Sequence, residues 1–150
     1  MPTHYRLRVV FHGAVVLLVG LLCGLPTVTE VGNESARLWH LAHESLIMIG
    51  VWLLATASVL SLLVLEKREA SALVWSLLLT VYGFMPALLI EGITGTRAFQ
   101  PTTSPVLLIG FLGNVIGILG SVVATALILM GVRAALKAGR SDQELPLART

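Results

Sequence analysis

Two histidines three positions apart, His40 and His43, head the short set of residues in this chain that could do chemistry. That spacing puts them on one face of a helix, about a turn apart. A pair of neutral imidazoles so placed can hold a metal ion, and a single one can ligate a haem iron axially. Glu44 follows His43 directly and so points roughly 100° away around the helix. It cannot easily be the carboxylate that orients that imidazole. His12, Asn114 and Glu91 complete the set. Each has a plainer reading as well. His40 suits a water–lipid interface beside Trp39, and His43 suits a hydrogen bond between helices. Glu44 suits the positive end of a helix dipole. Glu91 is expected to reach out to the outer surface, and Asn114 to hydrogen-bond across helices.

The elements that must position these residues follow from composition. Of 150 residues, 56% are hydrophobic and only 12% are charged. Ordinary soluble domains carry about 25% charged residues. With a mean hydropathy of +0.90, too little polar surface exists to cover a water-soluble globule. One cysteine excludes an internal disulfide, and Cys23 reads as a small packing residue. There is no signature for nucleic acid, nucleotides or a Ser/His/Asp triad, and no internal repeat.

Four apolar runs reach the roughly 20 residues that a spanning helix needs. They cover Val9 to Val28, Leu41 to Leu65, Ala70 to Ile93 and Pro105 to Ala135. They lack period-two alternation, and lipid offers no partners for open backbone, so an all-α membrane protein with a four-helix bundle is expected. Residues 1–138 form this single domain, and residues 139–150 are expected to be a polar, disordered tail. The first run resembles a secretory signal but is long enough to span, and is read as retained. The connectors are short, with Glu66-Lys67-Arg68-Glu69 as a tight charged turn.

Charge orients the bundle. Arg6, Arg8, Lys67, Arg68, Arg133, Lys137, Arg140 and Arg149 fall on one side, and only Arg37 and Arg97 on the other. Both termini are therefore expected in the cytoplasm. His12 and His43 then lie near opposite ends of neighbouring helices, separated by on the order of 20 Å at 1.5 Å per residue. One haem clamped by both within a subunit is not expected. A single protein ligand with an open position fits better, as a Lewis-acid site requires. Gly110, Gly113, Gly117 and Gly120 line a stripe for close helix contact, within the subunit or with a neighbour. Pro86 predicts a kink near Tyr82.

His12-Gly13, Gly24, Glu30, then Trp39-x-x-Ala42-His43 and Gly50 together resemble the membrane-bound styrene oxide isomerase family, most clearly over the first two helices. The resemblance implies a small four-helix protein of the bacterial inner membrane, assembled as a homotrimer with haem b between subunits. It implies a ferric iron acting as a Lewis acid that converts an apolar aryl epoxide into an aldehyde by ring opening and hydride shift. His43 matches the family's iron ligand, with Trp39 and His40 beside it at the cofactor. Where the family carries an Asn six residues after that ligand this chain has Ile49, and an ungapped count places Thr80 and Leu88 where the family has an Asp and a Tyr. Thr80, Tyr82 and Asn114 are accordingly the candidate catalytic residues.

Two other readings accompany the isomerase. One is a non-catalytic membrane haem-binding protein. The other is a small transporter or accessory subunit in which His12, His43 and Glu44 handle protons or metal ions.

Overall fold

The computed structural model describes residues 3–29 and 34–144, and it is 89% helical with no strand among them. Four helices follow one another: α1 (Thr3–Thr29), α2 (Glu34–Val59), α3 (Lys67–Thr94) and α4 (Pro105–Glu144). A single 3-10 turn (Leu60–Leu62) closes α2. All four are long and apolar enough to cross a membrane. Their outward surfaces carry Leu18, Leu22, Met48, Leu119 and Val122, which suit contact with a lipid bilayer.

The helix ends depart from the expected runs. α1 and α3 extend past theirs at both ends, and α4 past its C-terminal end. α2 starts earlier but stops at Val59, six residues short of the expected Leu65, where the 3-10 turn follows. α2 begins seven residues before the expected Leu41. Its first turns carry Glu34 paired with Arg37, and His40 with Glu44 at 3.2 Å, both at one-turn spacing. The turn before α3 is held by the Glu66 N–H, which donates to Glu69 Oε2 at 2.9 Å as in a capping box. α3 ends at Gly95, whose φ of 64° places it in the left-handed region that favours glycine. The helix continues without interruption through Pro86. α4 continues through the first six residues of the expected tail to Glu144, and residues 145–150 lie outside the described part.

The bundle is two antiparallel hairpins, α1 on α2 and α3 on α4, joined along α2 and α3. α3 is the most enclosed helix, with Leu73, Val74, Leu77 and Val81 in the core. Small residues set both hairpin contacts. Gly13, Gly20 and Gly24 of α1 face Leu53, Leu46 and His43 of α2 in turn. The glycine stripe of α4 packs within the subunit. Gly113 and Gly117 meet Gly83, and Gly120 meets Thr80 of α3. This register puts Arg37 and Arg97 at one end of the bundle and Arg6, Arg8, Lys67, Arg68 and Arg133 at the other.

Candidate functional site

His43 sits on the face of α2 that meets α1. Its Nδ1 lies 2.8 Å from the carbonyl oxygen of Gly20. A carbonyl can only accept, so Nδ1 carries the proton and Nε2 keeps its lone pair. The ring has room because residue 24 is glycine. A methyl group there would lie 2.9 Å from Nδ1 and 3.0 Å from Cε1 of His43. This is the arrangement of a ligand histidine whose second nitrogen is fixed by a backbone carbonyl. The interhelical hydrogen bond and the ligand role are therefore compatible. His43 remains half-buried, so its ring is not sealed inside the single chain.

His40 is exposed and pairs with Glu44 instead of turning to His43, and the two imidazoles stack with centroids 6.5 Å apart. Among the described residues, no group of three or more His, Cys, Asp or Glu is placed to hold a metal ion. Trp39 lies against Gly92 of α3, where a methyl group would sit 2.8 Å from the indole. Ser35 donates to Gly92 O at 2.8 Å one turn earlier, and together they lock the start of α2 on the end of α3.

His12 does not reach this region. Gly13 beside it packs at Leu53 and Leu54, ten and eleven residues from His43 along α2, which corresponds to about 15 Å at 1.5 Å per residue. Within one subunit, His12 and His43 are too far apart to clamp one haem from both faces. Nδ1 of His12 lies 2.7 Å from the Tyr82 hydroxyl, and the rings meet edge to face. The two line a second groove with Arg8, Trp75, Leu78 and Leu79. His12 is thus set apart from His43 and Glu44.

Thr80 is buried and donates to Ser76 O at 2.8 Å within its own helix, against Gly120. Asn114 lies elsewhere. Its Nδ2 donates to Glu91 Oε1 at 3.0 Å and to Ala98 O at 3.1 Å. The structure therefore separates the three candidate catalytic residues: Tyr82 is with His12, Thr80 is inside the α3–α4 contact, and Asn114 is with Glu91.

Glu91 corrects the sequence expectation. It does not reach the outer surface and is only 1% exposed. The Ala98 N–H, on the segment that folds back after α3, donates to the same Oε1 at 3.1 Å. Oε2 is buried without a hydrogen-bond partner. Glu91 and Asn114 line an open cleft of about 520 Å³ between α2 and the α3–α4 hairpin, with Ile49, Phe84, Leu88 and Phe99 among its walls. Ile49 and Leu88, which replace polar residues of the family pattern, thus face the same space as this polar pair.

Comparison with known proteins now bears on what such a bundle does. The styrene oxide isomerase family matches residues 5–133. The chain belongs to the styrene oxide isomerase family. The match extends through α3 and into α4, well beyond the first two helices that carried the sequence resemblance. No curated protein matches the chain, and no solved structure does either. As a family member with four spanning-type helices, the chain is an integral membrane protein.

Proposed function

We propose that this protein is a haem-dependent membrane isomerase that converts an aryl epoxide such as styrene oxide into the corresponding aldehyde. Family membership over residues 5–133 carries the proposal. The reaction is redox-neutral. The benzylic C–O bond breaks, a hydride moves from the terminal carbon to the benzylic carbon, and a C=O bond forms at the carbon that gave it up.

The residues at His43 fit haem b. Nε2 is left free to ligate by the Nδ1 bond to Gly20 O, and Gly24 leaves the ring the space it occupies. Bound there, ferric haem supplies a Lewis acid for the epoxide oxygen. Gly20 holds the imidazole tautomer and orientation. Trp39 and His40 flank His43 on the same end of α2. The apolar surroundings limit water, which would otherwise capture the positive charge that ring opening leaves on carbon. The half-buried position of His43 suits a cofactor shared with a second copy of the chain, as in a homotrimer. The skew of eight basic residues to two supports cytoplasmic termini, and a bacterial inner membrane is the location that goes with the proposed activity.

Asn114 is the candidate catalytic residue whose side chain lines a cleft open to an apolar substrate. Purified ferric protein given styrene oxide and no other reagent is expected to yield phenylacetaldehyde. Absence of the aldehyde at high protein loading would overturn the proposal.

A further inference from the structure

The groove between α1 and α3 gathers a second set of polar groups, away from His43. Arg8 and His12 line it from α1, and Trp75, Leu78, Leu79 and Tyr82 from α3. Its volume is about 520 Å³, the size of a small-molecule site. Trp75, Leu79 and Tyr82 are exposed. On two membrane-spanning helices, that exposure opens the groove to lipid.

The helix register sets its depth. Gly13 packs at Leu53 and Leu54 of the antiparallel α2. Arg8 is five residues nearer the start of α1, and so comes level with residues 58–59, where α2 ends. His12 lies one turn deeper, about 6 Å at 1.5 Å per residue. Arg8 thus stands at the membrane boundary and His12 just inside it.

Both levels offer hydrogen-bond donors. The Arg8 guanidinium is permanently charged and its fork suits phosphate oxygens. Among the described residues no salt bridge reaches it, and those lining the groove include no Asp or Glu. Deeper in, His12 Nδ1 and the Tyr82 hydroxyl lie 2.7 Å apart. If the hydroxyl donates to Nδ1, the proton on Nε2 is left over. If Nδ1–H donates to the hydroxyl oxygen, the O–H is left over. In either tautomer the pair keeps one donor that it does not spend on itself. A cation at the boundary, a donor one turn deeper and an apolar wall follow the order of a glycerophospholipid: phosphate, acyl ester carbonyl, chain.

We propose that this groove binds one anionic phospholipid. Arg8 holds the phosphate, and the His12–Tyr82 pair donates to an ester carbonyl. The acyl chain lies along Trp75, Leu78 and Leu79. An anionic lipid is selected because Arg8 brings an uncompensated charge, whereas a zwitterionic lipid carries its own cation beside the phosphate. The site rests on this groove alone and not on the isomerase reading.

The test titrates the full-length protein in detergent with three lipids and counts bound lipid by native mass spectrometry. They are phosphatidylglycerol, phosphatidylcholine and a diether phosphatidylglycerol, which lacks the ester carbonyls. One phosphatidylglycerol per chain is expected. Its affinity should be about 5-fold above phosphatidylcholine, the worth of one cation at a membrane surface. It should be roughly 2- to 10-fold above the diether lipid, the worth of one hydrogen bond. Arg8→Gln is expected to lose the headgroup preference and keep the ester preference. His12→Phe combined with Tyr82→Phe is expected to do the reverse. Lys67→Gln removes the same charge at the same end of the bundle but outside the groove, and should change neither preference. Equal affinity for phosphatidylglycerol and either comparison lipid overturns the proposal. So do equal losses in Arg8→Gln and Lys67→Gln, which would show attraction to overall charge alone. Survival of the headgroup preference in Arg8→Gln, as when a second copy of the chain covers the groove, also overturns it. If the double variant does not fold, the ester and ether lipids on the wild-type protein still decide the deeper contact.

Discussion

His43 donates its Nδ1 proton to the carbonyl of Gly20 on the neighbouring helix, 2.8 Å away. A bond that looks like simple interhelical adhesion also decides which nitrogen can ligate. With Nδ1 committed, Nε2 is the only nitrogen of the ring with a free lone pair. The same contact depends on Gly24, because a side chain there would occupy the space of the ring.

Gly24→Ala is therefore expected to weaken cofactor binding without unfolding the helices. The added methyl would lie 2.9 Å from Nδ1 of His43, so the ring must tilt away from Gly20. Overpacking of this kind typically costs about 1–3 kcal/mol. The ratio of Soret to protein absorbance is expected to fall while helical circular dichroism is kept. Gly139→Ala, with no atom within 4 Å of the new methyl, is the control and should leave both unchanged.

Gly83→Ala should act on stability. A methyl group at Gly83 would lie 2.5 Å from the Gly117 nitrogen and 2.7 Å from the Gly113 oxygen, and backbone cannot rotate aside. The α3–α4 hairpin must spread, at a cost of about 2 kcal/mol or more. Thermal unfolding in detergent should show a clearly lowered midpoint. An unchanged midpoint would mean that the glycine contact is not close.

Asn114→Leu removes one of the two donors to Glu91 Oε1 and leaves that buried acid with Ala98 N–H alone. The expected cost is about 1–3 kcal/mol. The Soret band should persist, because His43 belongs to a different helix contact. Loss of haem together with stability would show that the two regions are coupled.

Tyr82→Phe removes the hydroxyl that lies 2.7 Å from His12. Tyr82 is 43% exposed, so the loss should destabilise by about 1 kcal/mol or less. Because the hydroxyl is engaged in the groove with His12 and Arg8, the variant is expected to keep styrene oxide turnover. Loss of turnover with haem intact would instead place Tyr82 at the reaction.

The four spans were legible because lipid forces every backbone polar group to be satisfied within a helix, and that demand writes long apolar runs into the sequence. The start of α2 was not, because Glu34, Arg37, His40 and Glu44 make it polar while their one-turn pairs keep it helical. His43 stood out as an ionisable residue within a span. Its partner Gly20 did not, since a backbone carbonyl carries no residue-type signal. Glu91 was misplaced for a related reason. Position alone, near a helix end, suggests exposure, but Asn114 and Ala98 arrive from 23 and 7 residues away and enclose it. A lone acid in a chain this poor in charge was the available sign. Its partners are set by the α3–α4 register, which local pattern does not encode.

The absorbance spectrum of the purified protein beside that of His43→Ala tests most directly whether His43 holds the cofactor through Nε2. The wild-type protein is expected to show a Soret band, and the variant to lose it while remaining helical. A colourless wild-type protein prepared with ample haem supply, or a full Soret band in His43→Ala, would contradict this account.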